Sequence, residues 1–176
     1  MNYHNITYPD MNNGDGLRVV LWLSGCSHRC YNCQNPQTWD ANSGILFDES
    51  AREELFRELN KDYISGLTLT GGDPLYEANL DGVLDLVNEF RLLFPNKSIW
   101  IYSGYSWSDV FYGEDYTDFS TNTRKRQCIL CQCDVMVDGK YIDSQRNPSK
   151  KWAGSDNQRV ISIAESLKQG KVITLE

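Results

Sequence analysis

Apolar positions fall into short runs separated by turn residues, with amphipathic stretches between them. Leu17 to Leu23 is apolar apart from Arg18 and carries adjacent valines, which predicts a buried strand. Asn13, Gly14, Asp15 and Gly16 before it read as a turn, and Ser24-Gly25 ends it. Asp48 is placed to cap a helix over Glu49 to Asn60, with Ala51, Leu55 and Leu59 on one face. Leu67 to Thr70 predicts a strand broken by Gly71-Gly72-Asp73-Pro74. Leu80, Val83, Leu84 and Val87 then mark a second amphipathic helix. Ser98 to Tyr102 reads as a strand ending near Gly104, and Asp134 to Val137 as another, ahead of Asp138-Gly139. Arg159 to Ile163 is a further strand and Val172 to Leu175 a weak last one.

Strands alternating with helices imply an α/β fold, with a mostly parallel sheet and right-handed crossovers. In such sheets ligands gather at the carboxyl ends of the strands. Cys26 to Cys33, Gly71 to Pro74 and Ser103 to Tyr105 each follow a predicted strand, so they are expected at one edge. The chain has 176 residues, which predicts one domain over 1–176. That is too short for a closed eightfold barrel of about 250 residues, and the expectation is an open, partial (β/α) barrel.

Charge narrows the function classes. A net charge of −7 and a pI near 4.8 argue against broad nucleic-acid binding, which needs a basic footprint. A small basic patch for an anionic ligand is compatible with it. Residues Met1 to Asn5 lack the charged and apolar regions of a signal peptide, and the apolar runs are too short to span a bilayer. The expected location is the cytoplasm, where the six cysteines would serve as metal ligands or buried thiols rather than disulfides.

Cys26, Cys30 and Cys33 form C-x3-C-x2-C in a polar loop. Thiolates bind iron–sulfur clusters, usually four to a cubane; three would leave one iron open to a substrate. Zinc is an alternative, with His28 as fourth ligand, although structural zinc favours paired C-x2-C spacing. Inert buried thiols are a third reading, at odds with Ser27, His28, Arg29 and Asn32 around them. In Gly71-Gly72-Asp73-Pro74 the glycines let the backbone approach a ligand closely, and carbonyls or Asp73 can accept from an ammonium. By itself this segment also suits an ordinary turn.

The stretch Gly25 to Pro36, GCSHRCYNCQNP, resembles the cluster loop of the radical S-adenosylmethionine superfamily, and Gly71 to Pro74 its glycine-rich motif. The resemblance implies a partial barrel of that type and a 4Fe–4S cluster on Cys26, Cys30 and Cys33. It further implies S-adenosylmethionine chelated to the fourth iron, with its amine near Gly71, Gly72, Asp73 and Pro74. NGDGLRVVL, NPQTWD, LTLTGGDPLY, VDGKY and GSDNQR resemble the activating subunits of anaerobic ribonucleoside-triphosphate reductases, over Asn13 to Arg159. For such a glycyl-radical activase the implied partners are the large reductase subunit and a flavodoxin or ferredoxin as electron donor. Activation of another glycyl-radical enzyme, a small-molecule radical enzyme, and a non-catalytic iron–sulfur or zinc protein are the competing readings.

This chain departs from the family in places. Asp15 stands where the family often has proline. Asn32, not an aromatic residue, precedes the third cysteine, with Tyr31 beside it, so no adenine contact is assigned there. Cys128, Cys131 and Cys133 lie outside the family pattern; they suit zinc, an auxiliary cluster, or small buried side chains on a helix entering the next strand. Ser103, in Tyr102-Ser103-Gly104-Tyr105, and Asn157, in the segment from Gly154 to Arg159, are further candidates for cosubstrate contact. Each also suits a plain turn or loop. Arg124-Lys125-Arg126 reads as a solvated face or a docking patch, and Trp39 and Trp152 as packing residues.

Overall fold

Arg18–Leu23 forms strand β2 and pairs in parallel with β4 (Gly66–Gly71); β4 pairs with β5 (Ser98–Tyr102), and β5 with β6 (Val135–Asp138). β2, β5 and β6 run largely apolar on both faces, as suits strands covered on both sides, whereas in β4 Leu67 and Leu69 alternate with the buried Thr68 and Thr70. In this computed structural model residues 1–112 and 120–175 are described.

Three more strands extend the sheet, all antiparallel. β1 (Asn2–Asp10) pairs with β2, β3 (Ile45–Leu46) with β1, and β7 (Arg159–Ser162) with β6. The seven-stranded order is β3-β1-β2-β4-β5-β6-β7, and the sheet is not closed. Half the pairings are thus antiparallel, so the sheet is mixed, with the expected parallel strands at its centre and antiparallel strands at its flanks. The reason at β7 is local: residues 139–158 return to the same end of the sheet, so no crossover separates β6 from β7. Val172 to Leu175 contributes a single bridge, Thr174 to Ile161.

One face of the sheet carries Val19, Leu21, Leu23, Leu67, Leu69, Ile99, Ile101, Met136 and Ile161, packed against the helices. Helix α1 (Glu49–Leu59) buries Ala51, Leu55 and Leu59, and Asp48 caps it by accepting from the Ala51 N–H at 3.0 Å. Helix α2 (Leu80–Leu93) buries Leu80, Val83, Leu86, Val87 and Phe90. α3 (Trp107–Phe111), α4 (Thr121–Cys131) and α5 (Ile163–Gln169) complete the layer. The opposite face holds a smaller cluster of Trp100, Val135, Val137 and Val160, with Tyr102, Trp152 and Ala153 against it. Among the described residues no helix is long and apolar enough to cross a membrane.

Candidate functional site

Four connections leave the carboxyl ends of the parallel strands: residues 24–44 after β2, 72–79 after β4, 103–106 after β5 and 139–158 after β6. Backbone bonds lock the first two together. Gly72 N–H donates to Leu23 O at 2.7 Å and Asp73 N–H to Gly25 O at 2.8 Å. On the other side, Gly25 and Cys26 N–H donate to Thr38 O and Trp39 O. A Cβ at position 72 would stand 2.6 Å from Gly25 O, which explains glycine there; the left-handed backbone belongs to Gly71, at φ +93°.

Asp73, 2% exposed, is the hub. Its carboxylate accepts from Leu75 N–H (2.8 Å), Ser103 Oγ (2.9 and 3.1 Å) and Gly104 N–H (3.0 Å). His28 Nε2 stands 2.8 Å from Oδ2, an electrostatic contact without hydrogen-bond geometry. The imidazole makes a T-shaped contact with Tyr105, and the Arg126 guanidinium of α4 sits over the ring of that tyrosine, 4.3 Å from its centroid. Arg126 also donates to Leu75 O and to the Tyr105 hydroxyl. Asn79, which the sequence did not single out, donates to Ser24 O and Asp73 O and pins both loops from below. Its signal, a lone asparagine ahead of a helix, is indistinguishable from a cap.

These loops enclose a cavity of about 520 Å³. Cys26, Cys30, Cys33, Gly71, Gly72, Asp73 and Ser103 all line it, as do the aromatic side chains Trp22, Tyr102 and Trp152. The three cysteines are unpaired and half-buried. Burial, helped by nearby Asp73, pushes the Cys26 thiol up to about 11. Burial also raises Cys30, against the opposing Tyr141 N–H and Lys140 charge. Such thiols bind as thiolates only when a cation takes the proton's place. Among the described residues no three His, Cys, Asp or Glu side chains gather as one metal ion requires. A cubane takes each thiolate at a different iron, and three soft sulfur donors around one cavity fit such a cluster.

A sequence profile described as a 4Fe-4S single cluster domain matches residues 12–161. An anaerobic ribonucleoside-triphosphate reductase-activating protein of Enterobacteria phage T4 is 44% identical over 168 residues, covering 95% of this chain and 97% of the relative. The chain belongs to this family of activating proteins. Relatives of the same name from Vibrio cholerae and Escherichia coli K12 are 38% and 36% identical, covering 90% and 91% of this chain and 96% and 97% of their own length.

For a member of this family the remaining candidates sort by position. Pro74 is buried behind the cavity and does not line it. Asn157 does not line it either: its amide donates to Lys140 O at 2.8 Å and its oxygen accepts from Ser155 Oγ, while Gln158 beside it reaches the wall. Cys128 and Cys131 are exposed on α4, so the buried reading holds for Cys133 alone, whose thiol donates to Ile129 O at 3.2 Å. None of these three cysteines lines the cavity. The solvated reading of residues 124–126 is corrected at Arg126, whose guanidinium is drawn inward by Leu75 O and Tyr105; Lys125 pairs with Asp81. Trp152 packs on Trp100, with ring centroids 4.7 Å apart, and also faces the cavity.

Proposed function

We propose that this chain is a glycyl-radical activase that holds one 4Fe–4S cluster on Cys26, Cys30 and Cys33 and uses S-adenosylmethionine. One observation carries the reading: Cys26, Cys30 and Cys33 line one cavity, which Cys128, Cys131 and Cys133 do not, and they share it with the Gly71–Asp73 loop and Ser103. When bound, the cluster supplies the electron that splits S-adenosylmethionine into methionine and a 5′-deoxyadenosyl radical, which takes a hydrogen atom from a glycine of the large reductase subunit. The open sheet then serves as the partial barrel of radical S-adenosylmethionine enzymes, in a single domain over 1–176. Six unpaired cysteines suit a reducing cytoplasm, and a flavodoxin or ferredoxin is the proposed electron donor.

The chain's own groups have separable tasks. The backbone of Gly71 and Gly72 offers close approach to the cosubstrate's amino acid end, and the Asp73 carboxylate orients that backbone through Ser103 and Gly104. Trp22, Tyr102 and Trp152 present aromatic surface to the cavity and exclude water there, which protects a carbon radical. The test is anaerobic reconstitution with iron and sulfide, then assay of reductive S-adenosylmethionine cleavage and of a glycyl radical on the purified reductase subunit by electron paramagnetic resonance. Cys26→Ala, Cys30→Ala and Cys33→Ala should each lose iron and cleavage. A variant that keeps both removes that residue from the ligand set.

A further inference from the structure

Helix α4 ends in a pair of cysteines that the proposed reaction leaves unused. Cys128 and Cys131 are exposed, unpaired and one turn apart, and neither lines the cavity. Their thiols are close enough to act on each other electrostatically. The backbone that carries them is fixed on both sides. Ile129 and Leu130, between them in the chain, are fully buried. The Gln127 amide donates to Val110 O at 3.0 Å, and Gln132 O accepts from Arg91 Nε at 2.6 Å. Two sulfurs are thus presented to solvent from a frame that holds them together. Among the described residues no third His, Cys, Asp or Glu joins them as a metal ion requires.

Residues three apart in an α-helix have Cα atoms about 5 Å apart, inside the range of about 4.4–6.8 Å that a disulfide spans. Their Cβ atoms, about 5–6 Å apart, stand farther than the ~4 Å of a disulfide, so the turn has to tighten. This helix end is already tight. Gln132 N–H donates to Ile129 O at 3.0 Å and Cys133 N–H to Leu130 O at 2.9 Å, the short-turn pattern in which side chains three apart eclipse. Charge points the same way. The last turn carries the negative end of the helix dipole, which disfavours a thiolate there, and partial burial beside the Cys128 sulfur raises the Cys131 pKa. A disulfide is neutral and escapes both costs. We propose that Cys128 and Cys131 form a thiol–disulfide exchange site whose oxidant is a low-molecular-weight disulfide of the glutathione type. One cysteine thiolate attacks the small disulfide, forms a mixed disulfide and expels a thiolate. The second cysteine thiolate attacks the protein-side sulfur, closes the Cys128–Cys131 bond and expels the other thiolate. Two cysteine thiols are oxidised, one small disulfide is reduced to two thiols, and the cysteine protons end on those thiols. Cys133 takes no part, because its buried thiol points inward and donates to Ile129 O. The chain thereby carries a two-electron couple apart from its cluster cysteines.

The experiment uses the iron-loaded, full-length protein under anaerobic conditions. It is incubated with excess glutathione disulfide, free thiols are alkylated, and the peptide 127–140, released by cleavage after Arg126 and Lys140, is read by tandem mass spectrometry. The expected product has lost two hydrogens, carries its link between Cys128 and Cys131, and is alkylated at Cys133. Iron should stay bound, and dithiothreitol should restore the original mass. The rate should rise about tenfold per pH unit while the thiols are mostly protonated, since only the thiolate attacks. Cys128→Ser and Cys131→Ser should each stop at a mixed disulfide on the remaining cysteine, whereas Cys133→Ala should still close the link. A wild type that keeps all three thiols free, stops at the mixed disulfide or links through Cys133 overturns the proposal. So does a link that forms only after iron is lost. Stoichiometric zinc held by the wild type and lost from Cys128→Ser also overturns it and assigns the pair to a metal. The exchange needs no cosubstrate, so failure of the protein to cleave S-adenosylmethionine strikes the catalytic reading alone.

Discussion

The Asp73 carboxylate is saturated from within: two backbone N–H groups and the Ser103 hydroxyl donate to it, and His28 faces it. Its donors and His28 come from three strand-end loops, so it acts on the site by holding the others in place. Asp73→Asn keeps the shape but turns an N–H₂ toward donors. We expect it to cost about 1–3 kcal/mol, read by urea denaturation of the cluster-free protein, whereas Ser103→Ala should cost only about 1 kcal/mol. Equal stability of Asp73→Asn and wild type would contradict the role as hub. Gly72→Val acts on the same junction. Its Cβ meets Gly25 O at 2.6 Å, directly ahead of Cys26, and the neighbouring bond from Asp73 N–H must open. The expected outcome is a loss of iron on reconstitution as well as of S-adenosylmethionine binding. Full iron content in that variant would show that the two loops separate without harm to the cysteines. The glycines and the aspartate were legible in the sequence as a motif. The inward use of Asp73 was not, because it depends on Ser103 and Gly104, thirty residues on along the chain, arriving beside it.

Helix α4 shows how an element divides its residues. Cys128 and Cys131, three apart, share an exposed face, while Cys133 lies past the helix end in the core. Cys133→Ala should therefore cost about 1 kcal/mol or more through lost packing. Cys128→Ser with Cys131→Ser should stay within about 0.5 kcal/mol of wild type. Neither should lower the iron content, and a fall in iron for the exposed pair would tie α4 to the cluster. The sequence separated C-x2-C-x-C from the cluster loop but not its members from one another, since spacing alone does not say where a helix ends. The same limit governs the strands. β2, β4, β5 and β6 were legible because both their faces are covered. β1 was not: irregular register between Tyr3 and Asn5 and between Thr7 and Asp10 puts the buried Tyr3 and Ile6 three apart, which breaks the period of two. β7 was legible as a strand but not in direction, because direction depends on where the preceding loop returns.

At the scale of the whole molecule the sheet has a functional end and a structural end. The carboxyl ends of the strands open onto the cavity; the amino ends are tied by Arg18, which is fully buried. Its guanidinium donates to Thr68 Oγ1 (2.6 Å), Leu67 O (2.6 Å), Ser98 O and Oγ (3.0 Å each) and Asp15 O (3.0 Å). One side chain of β2 thus fastens β4, β5 and the turn before β2. Burial lowers its pKa to about 10, so it is still charged at neutral pH, and among the described residues it forms no ion pair. The charge is accommodated by neutral acceptors arranged around a fixed planar fork. Arg18→Met keeps much of the apolar length and removes every donor, leaving the buried Leu67 carbonyl and the part-buried Ser98 and Asp15 carbonyls without this partner. Relief from burying a charge offsets part of the loss. The expected net cost is about 3 kcal/mol in urea denaturation, with Arg18→Lys intermediate, since an ammonium cannot reproduce the fork. Leu67 and Gly71 are four residues apart on β4, roughly 13 Å at about 3.3 Å per residue, far enough for the two ends to act independently. Arg18→Met should therefore bind as much iron per folded molecule as wild type, despite its lower stability. A proportionate loss of iron from the folded fraction would show that the tie at the amino end also sets the cysteine loop, and a cost below about 1 kcal/mol would show that the strands hold their places without it.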